Sequence, residues 1–164
     1  MKIAVFSDSH GNASDMRRVL CEYAPDMAIH LGDGRRDMEE LRDEFPQICV
    51  CTVSGNCDSD WPEVEKRVVT LGAHKAFLTH GHRYGVRFAG LEPLLYAAEC
   101  SDCDIAMYGH THSAFCENVG GILVINPGSV GQGANRSWAR LEIDGDDLHC
   151  EIVPCGLQAS EKLI

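Results

Sequence analysis

The chain has 164 residues and a net charge of −11, with 25 acidic side chains against 14 basic ones. That balance argues against broad docking on DNA or RNA, which takes a basic face. It leaves a phosphate-bearing substrate open, because bound divalent cations reverse the sign locally. The hydrophobic share of 45% is ordinary for a globular chain, and no run approaches the roughly 18–20 apolar residues that span a bilayer.

One domain over residues 1–164 is expected at this length. The opening Met1-Lys-Ile-Ala-Val-Phe-Ser-Asp8 turns polar too early for a signal peptide and enters a strand directly. Strand Lys2–Ser7 leads to a helix over Ala13–Tyr23, where Met16, Val19, Leu20 and Tyr23 recur at helical spacing. Pro25 ends that helix, and Met27–Leu31 is the second strand. A charged helix over Arg36–Phe45 shows Met38, Leu41 and Phe45 on one side; Pro46 closes it, and Ile48–Ser54 is the third strand. This βαβαβ order implies parallel strands joined by right-handed crossovers.

The second half is richer in strands. Lys66–Leu71 and Lys75–Thr79 flank the turn Gly72-Ala-His74, a helix covers Leu91–Cys100, and Ile105–Tyr108 is a short strand. Ala114–Val119, Ile122–Ile125, Ser137–Ile143 and Leu148–Val153 follow, the last two joined through Asp144-Gly145-Asp146, a turn of hairpin type. The expected architecture is α/β, two packed β-sheets flanked by helices on their outer faces. No internal repeat or low-complexity tract is present, and Gln158–Ile164 is expected to fray.

Nine cysteines are an odd number and lie scattered. Cys49 and Cys51 share a strand face as small hydrophobes, and Cys100-x-x-Cys103 lacks the residues of a redox motif. The pattern reads as a reduced, cytoplasmic protein.

Chemistry concentrates where strands end. Asp8-x-His10, Asp33, Asn56, His80 and His110-x-His112 each follow or close an apolar run: Ile3–Phe6, Met27–Ile29, Val50–Val53, Ala76–Thr79 and Ile105–Tyr108. In open α/β sheets, ligand sites form beyond the carboxyl ends of the strands. Two residues apart at a strand end, Asp8 and His10 point to one side, as do His110 and His112. Singly, each has a bland reading: a turn aspartate at Gly32-Asp33-Gly34, a β-turn at Gly55-Asn56, a structural histidine at His80. Jointly, five strand ends would have to carry ligand types by accident. Two Asp, one Asn and four His are too many for one tetrahedral ion and suit two ions sharing a carboxylate. No cysteine stands among them, which disfavours a structural zinc site.

The series Asp8-Ser-His10, Gly32-Asp33, Gly55-Asn56, His80-Gly-His82 and Gly109-His-Thr-His112 resembles the calcineurin-like metallophosphoesterase superfamily. Asn126-Pro-Gly-Ser129 and Gly55-Asn-Cys-Asp58 narrow the likeness to its small YfcE-type phosphodiesterases, over residues 1 to about 154. The resemblance implies a four-layer β-sandwich flanked by helices and a metal-dependent phosphodiesterase acting on a small phosphodiester. One divalent ion takes the positions of Asp8, His10 and His112, the other those of Asn56, His80 and His110, and Asp33 bridges them. A hydroxide between the metals would attack phosphorus in line. Manganese is the expected metal by resemblance, with Fe, Co, Ni and Zn also suited to these ligands. A homo-oligomer stays open.

Two residues are candidates for catalysis. His82 either handles protons or is a plain loop histidine. Cys57 stands where many larger relatives have a histidine, so the imidazolium that protonates their leaving group is missing here. Asn12 either reaches a phosphate or caps the following helix, and Arg35 and Arg36 either meet phosphate oxygens or form a solvated helix start. In Gly34-Arg-Arg-Asp37 the second acid of the family pattern is displaced by one, which puts a bracing role for Asp37 in doubt. The stretch Asn126–Gly133 is expected to be flexible and to edge the site; it lacks the strand and helix context of a P-loop. Two alternatives compete. The retromer subunit of this fold is similar along Trp61-Pro-Glu to His82 and acts by protein contacts, but it lacks a histidine corresponding to His10. A metal-dependent amidohydrolase would need another ligand pattern and usually a longer barrel chain.

Overall fold

The computed structural model describes residues 1–59, 62 and 64–156, so Trp61 and the Gln158–Ile164 stretch expected to fray lie outside the described residues. The chain runs β1 (Lys2–Phe6), α1 (Ser14–Tyr23), β2 (Met27–His30), α2 (Arg35–Glu44), β3 (Cys49–Thr52), β4 (Lys66–Leu71) and β5 (His74–Thr79). A 3-10 turn at His82–Tyr84 precedes α3 (Glu92–Cys100), β6 (Ile105–Met107), β7 (Phe115–Val119), β8 (Ile122–Asn126), β9 (Ser137–Asp144) and β10 (Asp147–Pro154). Each strand and helix expected from the sequence is present, with ends moved by one or two residues; the 3-10 turn was not anticipated.

Ten strands make two mixed sheets of five, ordered β10-β9-β1-β2-β3 and β4-β5-β6-β8-β7. In the first, β1, β2 and β3 are parallel, with Ile3 opposite Met27 and Met27 opposite Cys49, and β9 runs antiparallel to β1. In the second, β5, β6 and β8 are parallel, and the hairpin partners β4 and β7 close its edges antiparallel.

Parallel strands covered on both faces read as unbroken apolar runs, and Ile3-Ala-Val-Phe6 is buried throughout. Its alternate side chains go to different layers, as the two-residue strand period requires. Ile3 and Val5 join Ile29, Leu31, Leu78, Met107, Ile125 and Leu141 between the sheets. Ala4 and Phe6 face Met16 and Leu20 of α1 and Met38 and Leu41 of α2. On the far side, Phe77, Ala106 and Val124 pack on Leu94 and Ala98 of α3. The layers are therefore helices, sheet, sheet, helix.

Local signals act as expected at the helix ends. Ala24, just before Pro25, takes the left-handed conformation (φ 46°) that stops α1. Phe45 ends α2 by donating its N–H to Leu41 O. Among the described residues no helix is long and apolar enough to cross a membrane. All nine cysteines are free; Cys51 packs on the inter-sheet core, whereas Cys49 is exposed at the start of β3, the edge strand of its sheet.

Candidate metal centre

Parallel pairing in both sheets sends the carboxyl ends of β1, β2, β3, β5 and β6 toward one rim. Backbone bonds lace the loops that follow: Asp8 N–H donates to Gly32 O (3.0 Å), His10 N–H to Asp33 O (3.0 Å), and Gly109 N–H to His80 O (3.1 Å). Seven non-glycine residues among those described have positive φ, and five are expected ligands: Asp8 (55°), His10 (47°), Asp33 (57°), His110 (67°) and His112 (58°). The left-handed region costs a non-glycine residue on the order of 1 kcal/mol or more. Such strain collects where a site demands a side-chain direction that relaxed backbone does not supply.

Two groups of donors result, each with its ligand atoms within 4.8 Å of one another: Asp8, His10 and His112, and Asp33, His80 and His110. A third group, His10, Asp33 and Cys57, overlaps both, so Asp33 lies between the two sets. Its Oδ2 is 3.9 Å from His10 Nε2 and 3.4 Å from His80 Nε2. In the first set His112 Nε2 is 3.1 Å from Asp8 Oδ1, and the His10 and His112 Nε2 atoms are 3.4 Å apart.

Several features fit these donors to cations. Asp8 Oδ2 accepts from Ser7 Oγ (2.6 Å) and from His110 N–H (3.0 Å), while Oδ1 is buried without a hydrogen-bond partner. His80 is fully buried, and its Nδ1–H donates to Leu31 O at 2.8 Å. That bond leaves the lone pair on Nε2, which also has no hydrogen-bond partner, in the tautomer a metal ligand requires. Buried polar atoms left over in this way cost free energy unless something charged meets them. Carboxylate oxygen and imidazole nitrogen together suit first-row divalent ions.

The electrostatics agree. Burial raises the Asp33 carboxyl pKa, but His80 and the backbone N–H of Cys57 (2.8 Å to Oδ1) outweigh it and hold that pKa below the usual range. Burial opposes charge on His80, yet contact with Asp33 and the Asp8 charge raise its pKa. Burial, then the charges of His80 and Arg87, lower that of His110.

Space for this crowding comes from glycine. A Cβ at Gly109 would lie 1.9 Å from Ser7 Oγ and 2.9 Å from Asp8 Oδ2; one at Gly55 would lie 2.1 Å from Asp33 Oδ1.

The other expected residues sit at the margin. Asn56 is exposed on the loop after β3, its amide nitrogen 3.4 Å from Cys57 Sγ. Burial, then the Asp33 contact, push the Cys57 thiol up to about 11. The His82 ring stands 5.3 Å from that of His80 and 6.1 Å from that of His110. Asn12 does not cap α1, whose N-cap is Ala13 without a side-chain bond; its amide N–H donates to Gly131 O (3.2 Å), and its carbonyl accepts from Ser14 Oγ (2.7 Å). The two arginines part company. Arg35 turns inward to Pro62 O (2.8 Å), while Arg36 lines an open cleft of about 220 Å³ with His10, Asp33 and Cys57.

Two expectations need correction. Asp37 braces the site despite its displacement, because the first turn of α2 carries its Oδ2 to Ser9 Oγ (2.5 Å) and Gly11 N–H (2.9 Å). The stretch Asn126–Gly133 is open only at its far end: residues 126–130 are buried, and 132 and 133 are exposed. Asn126 donates to Gly109 O (3.1 Å) and Thr111 Oγ1 (2.9 Å), and Ser129 Oγ donates to Asp8 O (2.8 Å), so this segment pins both first-set loops.

Asp58 was missed altogether. Burial raises its pKa, but hydrogen bonds from the backbone N–H groups of Gly55, Gly34, Arg35 and Asp33 outweigh that and lower it. Its place two residues after Asn56 was the available signal.

Comparison with known proteins agrees with this geometry. A model described as the calcineurin-like phosphoesterase superfamily domain matches residues 1–146. The chain is 32% identical over 152 residues to the probable metallophosphoesterase YsnB of Bacillus subtilis (strain 168), covering 89% of this chain and 86% of YsnB. It is 31% identical over 171 residues to the phosphodiesterase YfcE of Escherichia coli (strain K12), covering 88% and 89%. A crystal structure of a predicted phosphoesterase from Streptococcus pneumoniae TIGR4 superposes with a TM-score of 0.77 at 31% identity, covering 97% of this chain and 93% of that one. Zinc-complexed Vps29 of Entamoeba histolytica reaches a TM-score of 0.75 at 24% identity, with 94% and 99% covered, a likeness of fold. Matched across most of its length in sequence and fold, the chain belongs to the calcineurin-like phosphoesterase superfamily.

Proposed function

We propose that the chain is a phosphodiesterase working through two divalent ions, manganese by preference, with Asp33 shared between them. The observation that carries this reading is the pair of donor sets meeting at Asp33, with Asp8 Oδ1 and His80 Nε2 buried and unbonded. Asp8, His10 and His112 would hold one ion, His80, His110 and Asn56 the other. When bound, such a pair supplies charge neutralisation at phosphate oxygens and a water acidic enough to ionise near neutral pH.

The chain's own residues do the rest by position. Leu31 O orients His80, and Ser7 and the His110 N–H orient Asp8, so the donors are set before substrate arrives. Arg36, which lines the open cleft and pairs with Glu40 (3.2 Å), would exchange that partner for an anionic substrate arm, and Asn12, next to Gly11 of the same cleft, would stand at its edge. His82 at the rim can hold or pass a proton. Cys57 carries no positive charge toward a leaving group in either protonation state, because a thiol is neutral or anionic. The substrate class that follows is a diester with a good leaving group, activated aryl diesters serving as laboratory examples.

The test is hydrolysis of bis-p-nitrophenyl phosphate by metal-stripped protein titrated with manganese, beside Asp33→Asn and His112→Ala. Metal-dependent turnover that both substitutions abolish is expected. Two bound ions without turnover under any divalent metal would favour a protein-interaction scaffold on this fold.

A further inference from the structure

Asp58 belongs to none of the donor sets, yet it ties two of their loops together. Its Oδ2 accepts from Asp33 N–H (2.8 Å) and Gly55 N–H (2.8 Å), and its Oδ1 from Gly34 N–H (3.0 Å) and Arg35 N–H (3.1 Å). Three of these donors are consecutive and lead into α2, a place where the helix dipole favours an anion. A carboxylate from the protein fills it. The fourth donor comes from the loop after β3. One oxygen is thus shared between the backbone N–H of Asp33 and that of Gly55, the residue just before Asn56.

Besides Asp58, the two loops are joined here by Cys57 N–H to Asp33 Oδ1 (2.8 Å) and by Arg35 Nη1 to Ser54 Oγ (3.4 Å). Gly55 approaches Asp33 so closely that no Cβ fits between them, so their separation depends on what joins the backbones. Asp33 is held left-handed and Gly34 has φ 142°, conformations that turn successive N–H groups toward one anion.

We infer that Asp58 is a positioning residue for the second metal, setting the distance between Asp33 and Asn56. The inference rests on the two-ion reading. The first set, Asp8, His10 and His112, touches this loop through Asp8 N–H to Gly32 O and His10 N–H to Asp33 O (both 3.0 Å), but it is also braced by Ser7, Asn126, Ser129 and Asp37, so the influence of Asp58 falls mainly on the second position.

Asp58→Asn is the matching change. It keeps shape but puts an amide N–H₂ against two of the four donors. Manganese(II) binding to metal-stripped wild type and variant is followed by calorimetry and electron paramagnetic resonance, with circular dichroism as the check on folding. Wild type is expected to take two ions and show an exchange-coupled pair. The folded variant keeps the first affinity and loses roughly 10–100-fold at the second, so that one equivalent gives an uncoupled spectrum. Equal affinities at both positions, or an equal loss at both with a lowered melting point, overturn the inference and leave the two-ion reading standing. Wild type that takes fewer than two ions overturns that reading and the inference with it. Should Asp58→Asn not fold, Asp58→Glu replaces it: a longer carboxylate spreads the loops, the same selective loss is expected at smaller size, and unchanged affinities overturn the inference.

Discussion

Cys57 is the residue whose surroundings say most about substrate range. Its backbone N–H holds Asp33 Oδ1, while its thiol, protonated or not, never carries a positive charge. Such a group cannot stabilise charge on a basic leaving group as an imidazolium does, and general-acid help is worth roughly 10²–10⁴-fold where present. Cys57→His is therefore expected to lower the ratio of diester to monoester hydrolysis by on the order of tenfold, measured with paired p-nitrophenyl substrates. A ratio that does not move would remove Cys57 from the account of specificity. The cysteine and its neighbours were legible in Gly55-Asn-Cys-Asp58; the meaning of Asp58 was not, because a carboxylate accepting bonds from loops 25 residues away leaves no periodic trace.

Elements supply the second shell of support, and here a buried chain of polar groups links β2, α2 and the loop after β1. Gly32 N–H donates to His30 Nδ1 (3.2 Å), which puts the ring proton on Nε2, facing Ser9 Oγ at 3.2 Å; Ser9 in turn donates to Asp37. This arrangement needs a neutral imidazole. Burial lowers the His30 pKa to about 4, against the opposing pull of Asp58, Asp8 and Asp37. The unfolded chain takes up the proton first, near pH 6.5. The contribution of His30 is thus complete above about pH 6.5 and is lost as pH falls from there toward 4. In urea unfolding of metal-free protein, wild type should lose roughly 2–3 kcal/mol more than His30→Gln between pH 7.5 and 4.5. Parallel losses in the two proteins would assign the acid sensitivity to other groups. Element identities were readable from apolar periodicity and from Pro25 and Pro46, since local chain stiffness decides them. The burial of residues 126–130 was not, because Gly and Pro in sequence read as a turn whether the turn is exposed or packed beneath a site.

At the scale of the whole molecule, one rim gathers the candidate cation ligands of both sheets. Asp8 Oδ1 and His80 Nε2, buried without hydrogen-bond partners, and five candidate ligands held in the left-handed region weigh against the metal-free fold. An ion that binds only the folded state stabilises it by about 2.7 kcal/mol at 100 times its dissociation constant. For a chain of this size that corresponds to a rise in melting temperature of roughly 5–10 °C with saturating manganese, reversed by a chelator. A melting curve indifferent to both would mean that the rim is satisfied without metal. By itself the sequence determined the strands, the helices, the two-sheet class and the identity of the candidate ligands, because strand ends and hydrophobic period are local properties. The place of Asp33 between the two sets was already implied by the resemblance; only the tertiary structure decided that Arg36 faces the cleft while Arg35 does not, and that Asp58, Asp37 and Asn126 brace the loops. Those relations depend on distances between segments far apart in the chain, which are set when the two sheets pack.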